Sequence, residues 1–529
     1  MNRLNYKEYF ANVIPCLGYG ICCGSVTGVT IFLFKIAAKK LEELSRLTYS
    51  FADRSPLYIP LIFLLLALIA AAMWMLHRKL PQVKGGGIPR SEGILRGLLS
   101  FRGPTTLIGT LIGSFMSFFA GLPLGSEGPA VLIGTSIGGI FSDFSRHKSA
   151  WNRYIMSGGA GAGFAIATGA PLSAMLFVLE EIHKRFTPML ILIVSTSVVA
   201  ASYVNGLLCA HFELDSALFI IEEISPFELE HVGYLLLLGV IVSLAVAGFD
   251  ASIGWIKKLT TRIGGKFHDI TRLLIVFFLT GVLAITITEG VYSGHHVVVE
   301  VIENHFTLGM LFLLLGIRML LMLLVTDSGA TGGIFIPTLA IGALLSALIA
   351  KLLFAIGMPQ ELFGAVVLLG MCAFIGGTLR SPLTASVLFL ELTGQFTDLF
   401  YVLLVIFTVN FITEIFHQKP FYDRVLERME EAQNHGRTVK IGFFEMKVSG
   451  GAFVIGKAVR DIMWPSSSVV ISVTRAEGNF QDMDNDGEKK LYEGDTLVLR
   501  AKYFDEEEIK NHLFDLVGRE HEIRTIDDL

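Results

Sequence analysis

Long apolar runs alternate with short glycine-rich breaks along most of this chain. Six runs stand out, at 58–76, 235–249, 273–288, 308–325, 344–357 and 399–412. Several approach or reach the roughly 20 residues that cross a bilayer as a helix. Hydropathy of that strength predicts a polytopic helical membrane protein rather than a large soluble one with buried helices. The breaks carry a second message. Irregular backbone is tolerated at membrane depth only where it lines a cavity or is buried in protein, so they predict a transporter or channel rather than an anchor.

The apolar pattern stops near Phe416. The stretch "HQKPFYDRVLERMEEAQNHGRTVK" is charged and helical, and residues 440–518 then read as a small α/β domain. "KIGFFEMKV", "SSVVISVTRA" and "GDTLVLRA" have strand patterns, "IGKAVRDIM" is expected as a helix between the first two, and "DEEEIKNHLFDLVG" as a closing helix. The expected fold is therefore an all-α polytopic membrane domain over 1–436 followed by a small cytoplasmic α/β domain over 437–529.

The membrane part repeats itself. "APLSAMLFVLE" (170–180) matches "SPLTASVLFLE" (381–391) at an offset of 211, and "PAVLIGTS" from Pro129 matches "PTLAIGAL" from Pro337 at an offset of 208. Two halves are expected, about 10–210 and 226–432, with broken helices meeting at their interface.

Composition supports this reading. The 529 residues are 53% hydrophobic and 17% charged, and include 54 glycines; mean hydropathy is +0.62. The formal net charge of −5 gives no sign of nucleic-acid binding. Five cysteines lie in apolar segments without metal or disulfide spacing. The Cys22–Cys23 pair reads as two small residues on a packed helix. The first twelve residues are polar and mixed, unlike a cleavable signal peptide.

Candidate chemistry sits in three breaks: "GGGIP" (85–89), "GSEGP" (125–129) and "GGIFIP" (332–337). In each, glycines precede a proline and an apolar run. Such a helix aims its free N–H groups and positive dipole end at one spot. Several ends meeting at the midplane form an anion site without a full positive charge; close helix packing is the other use of such glycines. Glu127 lies inside the second break. A carboxylate there can take the anion's place when ionised and swing away when protonated; a capping glutamate at a helix start is the plainer reading. Glu180 has a repeat partner, Glu391, which points to a structural role. Glu181 has Leu392 opposite it and is specific to the first half, as a proton-path residue would be; both glutamates also fit an exposed helix end. Tyr422 can donate a hydrogen bond to an anion while neutral, or serve as an interfacial aromatic.

These residues carry a resemblance. "GGGIP", "GSEGP", "GGIFIP" and "KPFY", in that order and over about residues 10–432, resemble the CLC family of chloride channels and proton/anion antiporters. The resemblance implies a homodimer with one pore per subunit and an inverted repeat. It implies Glu127 as the external gating glutamate, Glu181 as the internal proton glutamate of antiporters, and Tyr422 as the tyrosine on the central anion. Gly86, Gly87, Ser126, Gly128, Ile334, Phe335 and Ile336 fall where that family binds anions. Two positions depart from it: Gly86 stands where the family has a serine, and Ser126 where it commonly has a basic residue. The C-terminal segment, through "LYEGDTLVLRA", resembles the C-terminal module of TrkA/RCK potassium-transport proteins, which implies dimerisation or small-ligand sensing.

The expected function is secondary antiport of a small anion, chloride, against protons, with a passive voltage- or pH-gated chloride channel as the alternative; a ligand sensor built around the C-terminal domain is a further one. An enzyme is not expected, since no Ser-His pair or metal-spaced cluster lies near the breaks, and no cofactor is called for. The run "DMDNDGEKKLYE" (482–493) matches a calcium-loop pattern through Asp482, Asp484, Asp486 and Glu493, but Lys489 and strand-like flanks favour an acidic turn. The basic stretch 77–84 and both termini are expected on the cytoplasmic side of a plasma (inner) membrane.

Overall fold

The computed structural model describes all residues except 1–2, 145–148, 215–218, 220–223, 261–267, 418, 435–437, 466–467, 476–479, 483–486 and 527–529. The first half contains α1 (Arg3–Arg54), α2 (Tyr58–Lys79), α3 (Gly87–Arg96), α4 (Gly103–Phe119), α5 (Glu127–Phe144), α6 (Asn152–Thr168), α7 (Pro171–Phe177) and α8 (Pro188–Phe212). The second contains α9 (Val232–Thr260), α10 (His268–Thr286), α11 (His295–Ile302), α12 (Leu308–Ser328), α13 (Phe335–Ala355), α14 (Phe363–Leu379), α15 (Pro382–Thr393) and α16 (Leu399–Ile415). The chain then runs through α17 (Phe421–Gln433) into the C-terminal domain. Among the described residues, nine segments are long and apolar enough to cross a membrane. Four of the six runs read from the sequence fall within these helices, and the other two, 273–288 and 344–357, each extend two residues past the helix end.

Burial separates the helices into two classes. The 58–79 span is mostly exposed and presents its apolar side chains outward, whereas 335–355 and 360–379 are mostly buried. Glycine permits the closest contacts of that interior. A Cβ on Gly134 of α5 would lie 2.0 Å from the Gly159 carbonyl oxygen of α6, and a Cβ on Gly159 would lie 2.1 Å from that of Gly134. Backbones this close need small residues on both helices.

The C-terminal domain holds β1 (Lys440–Lys447), β2 (Ser468–Thr474), β3 (Phe480–Asp482), β4 (Thr496–Tyr503), α18 (Glu506–Val517) and β5 (Arg524–Ile526). Its sheet is antiparallel in the order β3-β2-β4-β1-β5. Alternation buries Phe444 and Met446 on β1 and Leu497 and Leu499 on β4, against Leu513 of α18. The helix expected at "IGKAVRDIM" is absent. Residues 459–461 make only a single 3-10 turn, because the surrounding backbone bonds elsewhere: Gly456 N–H donates to Leu491 O at 2.8 Å and Val459 N–H to Lys489 O at 3.0 Å. Gly456 also takes a φ of 78°, which breaks a helix. The acidic run at 482–493 has Asp484 and Asp486 outside the described residues; Asp482 ends β3 and Leu491 bridges Ile455, so strand-like backbone flanks it.

The C-terminal domain docks on the N-terminal end of α6. The Tyr154 hydroxyl donates to Asp461 O at 2.9 Å, and Arg153 donates to Trp464 O at 3.3 Å. The Phe453 ring meets Trp151 edge-on at 5.4 Å. Cys22 is exposed while Cys23 is buried, so only one of that pair is packed as expected.

Candidate functional site

Three helices begin at the glycine breaks in the same way. α3, α5 and α13 start at Gly87, Glu127 and Phe335, each two residues before its proline. A helix leaves its first four N–H groups without internal partners, so a proline at the third position removes no helical hydrogen bond. The remaining N–H groups stay available to a ligand.

Two of the breaks are pinned to each other. Gly125 N–H donates to Gly333 O at 2.7 Å and Gly333 N–H to Gly125 O at 2.8 Å, an isolated antiparallel bridge. These glycines are related by the same offset of 208 that relates Pro129 to Pro337, so the repeat is also a spatial pairing. The third break closes on them. A Cβ on Gly87 would stand 2.0 Å from Gly128 O, and one on Gly128 would stand 2.7 Å from the Gly333 Cα. Gly86 differs. It has a φ of −71°, and a Cβ there would meet the Pro89 Cδ at 3.4 Å, an ordinary contact.

Glu127 is fully buried at this convergence. Ser126 Oγ donates to its Oε1 at 3.1 Å, and its carboxylate faces the backbone N–H groups of Glu127 itself and Ile336. Its Oε2 has no hydrogen-bond partner. Ile334, Phe335 and Ile336 are all buried at the start of α13. The Phe335 ring packs edge-on against Phe164 at 5.0 Å, which fixes that helix start. The carboxylate thus occupies the space at which two helix N-termini aim.

Tyr422, the second residue of α17, is 1% exposed and its hydroxyl lacks a partner. It is a buried residue rather than an interfacial aromatic, and it stands within electrostatic reach of Glu181, Glu127 and Glu92. Glu181 is 1% exposed, not on an exposed helix end. It lies in a π-helical turn, Val178–Ile182, that continues α7; such turns are frequent at functional sites. Ser381 Oγ donates to its Oε2 at 2.8 Å, and its Oε1 is unpartnered. Charged groups surround this end: Lys184 pairs with Asp423 at 2.6 Å and Arg96 with Glu92 at 2.7 Å.

Glu180 does something different. Its carboxylate accepts from the N–H groups of Leu383 and Thr384, at 3.0 and 2.7 Å, and from Thr384 Oγ1 at 2.7 Å. Glu391 returns the same three bonds to Leu172, Ser173 and Ser173 Oγ at 2.8, 2.8 and 2.6 Å. Each half therefore caps the first turn of the other half's helix, α15 or α7. The structural role read from the repeat partnership is this reciprocal clamp.

Two cavities approach the convergence from opposite sides. One of about 1030 Å³ is lined by Ser126 and Ile336 together with Lys35, Glu42 and Arg46 of α1. The other, about 540 Å³, is lined by Glu181, Lys184, Arg380 and Pro420. The smaller lies at the α17 end, near the C-terminal domain. The larger lies along the second half of α1, whose early residue Tyr19 packs on Trp151 beside that domain. From Tyr19 to Lys35 a helix advances about 24 Å at 1.5 Å per residue.

Ser381, Lys35 and Glu92 escaped the sequence reading. A signal for Ser381 existed. The repeat pairs Ala170 with Ser381 and Glu181 with Leu392, and the polar members of these two mismatched pairs are bonded to each other. Lys35 and Glu92 had no such mark, being ordinary charged residues in helical runs.

Comparison with known proteins matches residues 66–414 to a family described as voltage gated chloride channel. H(+)/Cl(-) exchange transporters ClcA from Salmonella paratyphi B and Salmonella newport are each 29% identical over 428 residues, covering 79% of this chain and 89% of theirs. Among solved structures, a slow cyanobacterial Cl-/H+ antiporter aligns with a TM-score of 0.73 and 27% identity, over 79% of this chain and 99% of that one. A CLC-type fluoride/proton antiporter shares the fold, with a TM-score of 0.62 at 20% identity over 78% of this chain and 99% of that one.

Proposed function

Because the chain belongs to the voltage gated chloride channel family, we propose that it works as a secondary antiporter, exchanging chloride for protons across a membrane. The observation that carries this reading is the pair of buried carboxylates, each with one unpartnered oxygen: Glu127 beside the larger cavity and Glu181 beside the smaller. A passive pore needs no proton path, whereas a buried carboxylate beside each cavity offers an exchanger one.

The geometry supports the following mechanism. Chloride is held by helix-start N–H groups around Ser126–Gly128 and Ile334–Ile336, with the Tyr422 hydroxyl as a neutral side-chain donor. When ionised, Glu127 competes with chloride for those N–H groups. When it takes a proton from the larger cavity it loses that attraction and yields its place to the anion. Glu181, steadied by Ser381, relays the proton to the smaller cavity. The larger cavity is the external mouth and the smaller is cytoplasmic, with both termini on the cytoplasmic side of the plasma (inner) membrane. The reading includes a homodimer with one pathway per subunit, as the family resemblance implies. It also assigns residues 437–529 to regulation, through dimerisation or a small ligand; their docking on α6 supports this.

Reconstituted protein tests it. Glu127→Gln is expected to abolish chloride-driven proton movement. Glu181→Gln should stop proton movement while chloride flux continues. Wild-type-like proton flux in the first variant removes Glu127 from the mechanism, and unchanged coupling in the second removes Glu181. A reversal potential that ignores an imposed pH gradient in the unmodified protein would make it a channel.

A further inference from the structure

We propose that Lys35 of α1 is a positioning residue for the incoming anion: its ammonium supplies positive charge beside Glu127 in the larger cavity and sets the affinity with which chloride enters from that side. The inference rests on the exchange reading above and adds a residue to it.

Three observations place the charge. Lys35 lines the cavity together with Ser126 and Ile336, the residues that border the Glu127 carboxylate. Its ammonium and that carboxylate act on each other electrostatically. Its ammonium donates to a neutral group, the Ile166 carbonyl, at 3.0 Å. That carbonyl lies in the last turn of α6, where the helix's negative dipole end favours a cation and its carbonyls lack internal partners. α6 therefore holds the ammonium in place without neutralising it. An ammonium has three N–H donors, so this bond leaves capacity for an anion.

Lys39, Arg46 and Arg318 also line the cavity, Arg318 with its Nη1 unpartnered. The Arg318 guanidinium donates to Glu289 O at 2.7 and 3.0 Å and to Val291 O at 2.9 Å. Arg46 lies over the Tyr292 ring at 4.3 Å and also acts on Glu42. Glu42 itself repels charge at Glu127. Ser126, beside Glu127 on α5, brings no charge. Among the cavity's cations, Lys35 is the one whose charge acts on the Glu127 carboxylate, and a focused charge in a cleft raises the local concentration of its counter-ion.

The test measures chloride saturation separately from the two sides of full-length protein in oriented liposomes. Lys35→Gln keeps a donor for Ile166 and drops the charge. It is expected to raise the chloride KM on the larger-cavity side about five- to tenfold, with the maximal rate and the chloride-to-proton ratio within twofold of wild type and the other side's KM unmoved. Lys35→Arg should restore the KM, as should adding a charge just before α5 in K35Q/S126K. A Lys35→Gln variant with unchanged KM, or one in which the maximal rate falls and Lys35→Arg does not rescue it, reduces Lys35 to a cap of α6 and overturns the proposal. Should Lys35→Gln not fold, Ser126→Glu in the unmodified background adds an opposing charge at the same mouth; it should raise the same KM, and no change would overturn the proposal. Failure of the exchange reading looks different: it appears in wild-type protein as chloride flux without protons, whatever stands at position 35.

Discussion

Gly86 and Gly87 are adjacent, identical in type and present for different reasons. Gly87 is required by contact: a Cβ there collides with the Gly128 carbonyl at 2.0 Å, where backbone on both sides leaves nothing to yield. Gly87→Ala is expected to cost about 4 kcal/mol or more, seen as loss of folded protein in detergent by size-exclusion chromatography. Gly86 has ordinary backbone geometry and room for a side chain. Gly86→Ser should fold with an unchanged melting temperature and place a hydroxyl beside the convergence. Because one added donor contributes about 0.5–1.5 kcal/mol, chloride binding is expected to tighten about two- to tenfold in isothermal titration. At this scale the chain was half legible. The unusual position of Glu127 could be read from its glycine and proline neighbours, whereas the different tolerances of Gly86 and Gly87 depend on a carbonyl contributed from about 40 residues away in sequence.

At the scale of elements, the repeat is the organising fact. α7 and α15 begin with their N–H groups bonded to a carboxylate from the opposite half, Glu391 or Glu180, and neither helix supplies its own cap. Glu391→Ala leaves two N–H groups and the Ser173 hydroxyl without their acceptor. Hydrogen bonds to a charged group contribute about 1.5–3 kcal/mol, so a loss of that order is expected as a lowered thermal midpoint, with Glu180→Ala costing a similar amount. Glu181→Ala, whose one bond is to a serine hydroxyl, should cost less stability and more coupling. Unequal losses for Glu180 and Glu391 would contradict the symmetry of the clamp. The pairing of Glu180 with Glu391 was visible as a matching offset. Its geometry was not: the offset matches each glutamate to the other, but each one bonds the backbone of the partner's helix start.

For the whole molecule, the question is what the C-terminal domain does to the membrane domain on which it sits. Tyr154 and Arg153, which bond it, open α6, and one turn on Ser157 Oγ lies 2.7 Å from His183 Nε2, two residues beyond Glu181. Loss of the domain therefore reaches the smaller cavity through a single helix turn. Removing residues 437–529 is expected to leave chloride/proton exchange measurable in liposomes but shift its rate; complete loss would instead make the domain the working part of a sensor. Docking should also depend on pH. Burial, and then the positive charge of Arg153, hold the His512 imidazole of α18 below its ordinary range, against the opposing pull of Glu508 and Asp515. The docked form thus prefers neutral His512. Docking is expected to be strongest above the ordinary histidine pKa of about 6.5 and to weaken as pH falls below it, because release from Arg153 lets His512 bind the proton more readily. Hydrogen exchange at the start of α6 should rise on acidification, and His512→Gln should remove that dependence.

The sequence by itself determined the membrane-spanning character, the two halves, the three helix starts and the isolated carboxylate at 127, because these are written as local patterns: apolar length, glycine followed by proline, and a repeated offset. Tertiary structure decided the rest. Folding brought Glu181 to Ser381, reversed Glu180 and Glu391 into a clamp, set Lys35 beside the cavity that reaches Glu127, and used the backbone of "IGKAVRDIM" in strand-like pairing instead of a helix. Each of these joins residues distant in the chain, through hydrogen bonds or charges that act over a few ångströms in space and leave no periodic trace in sequence.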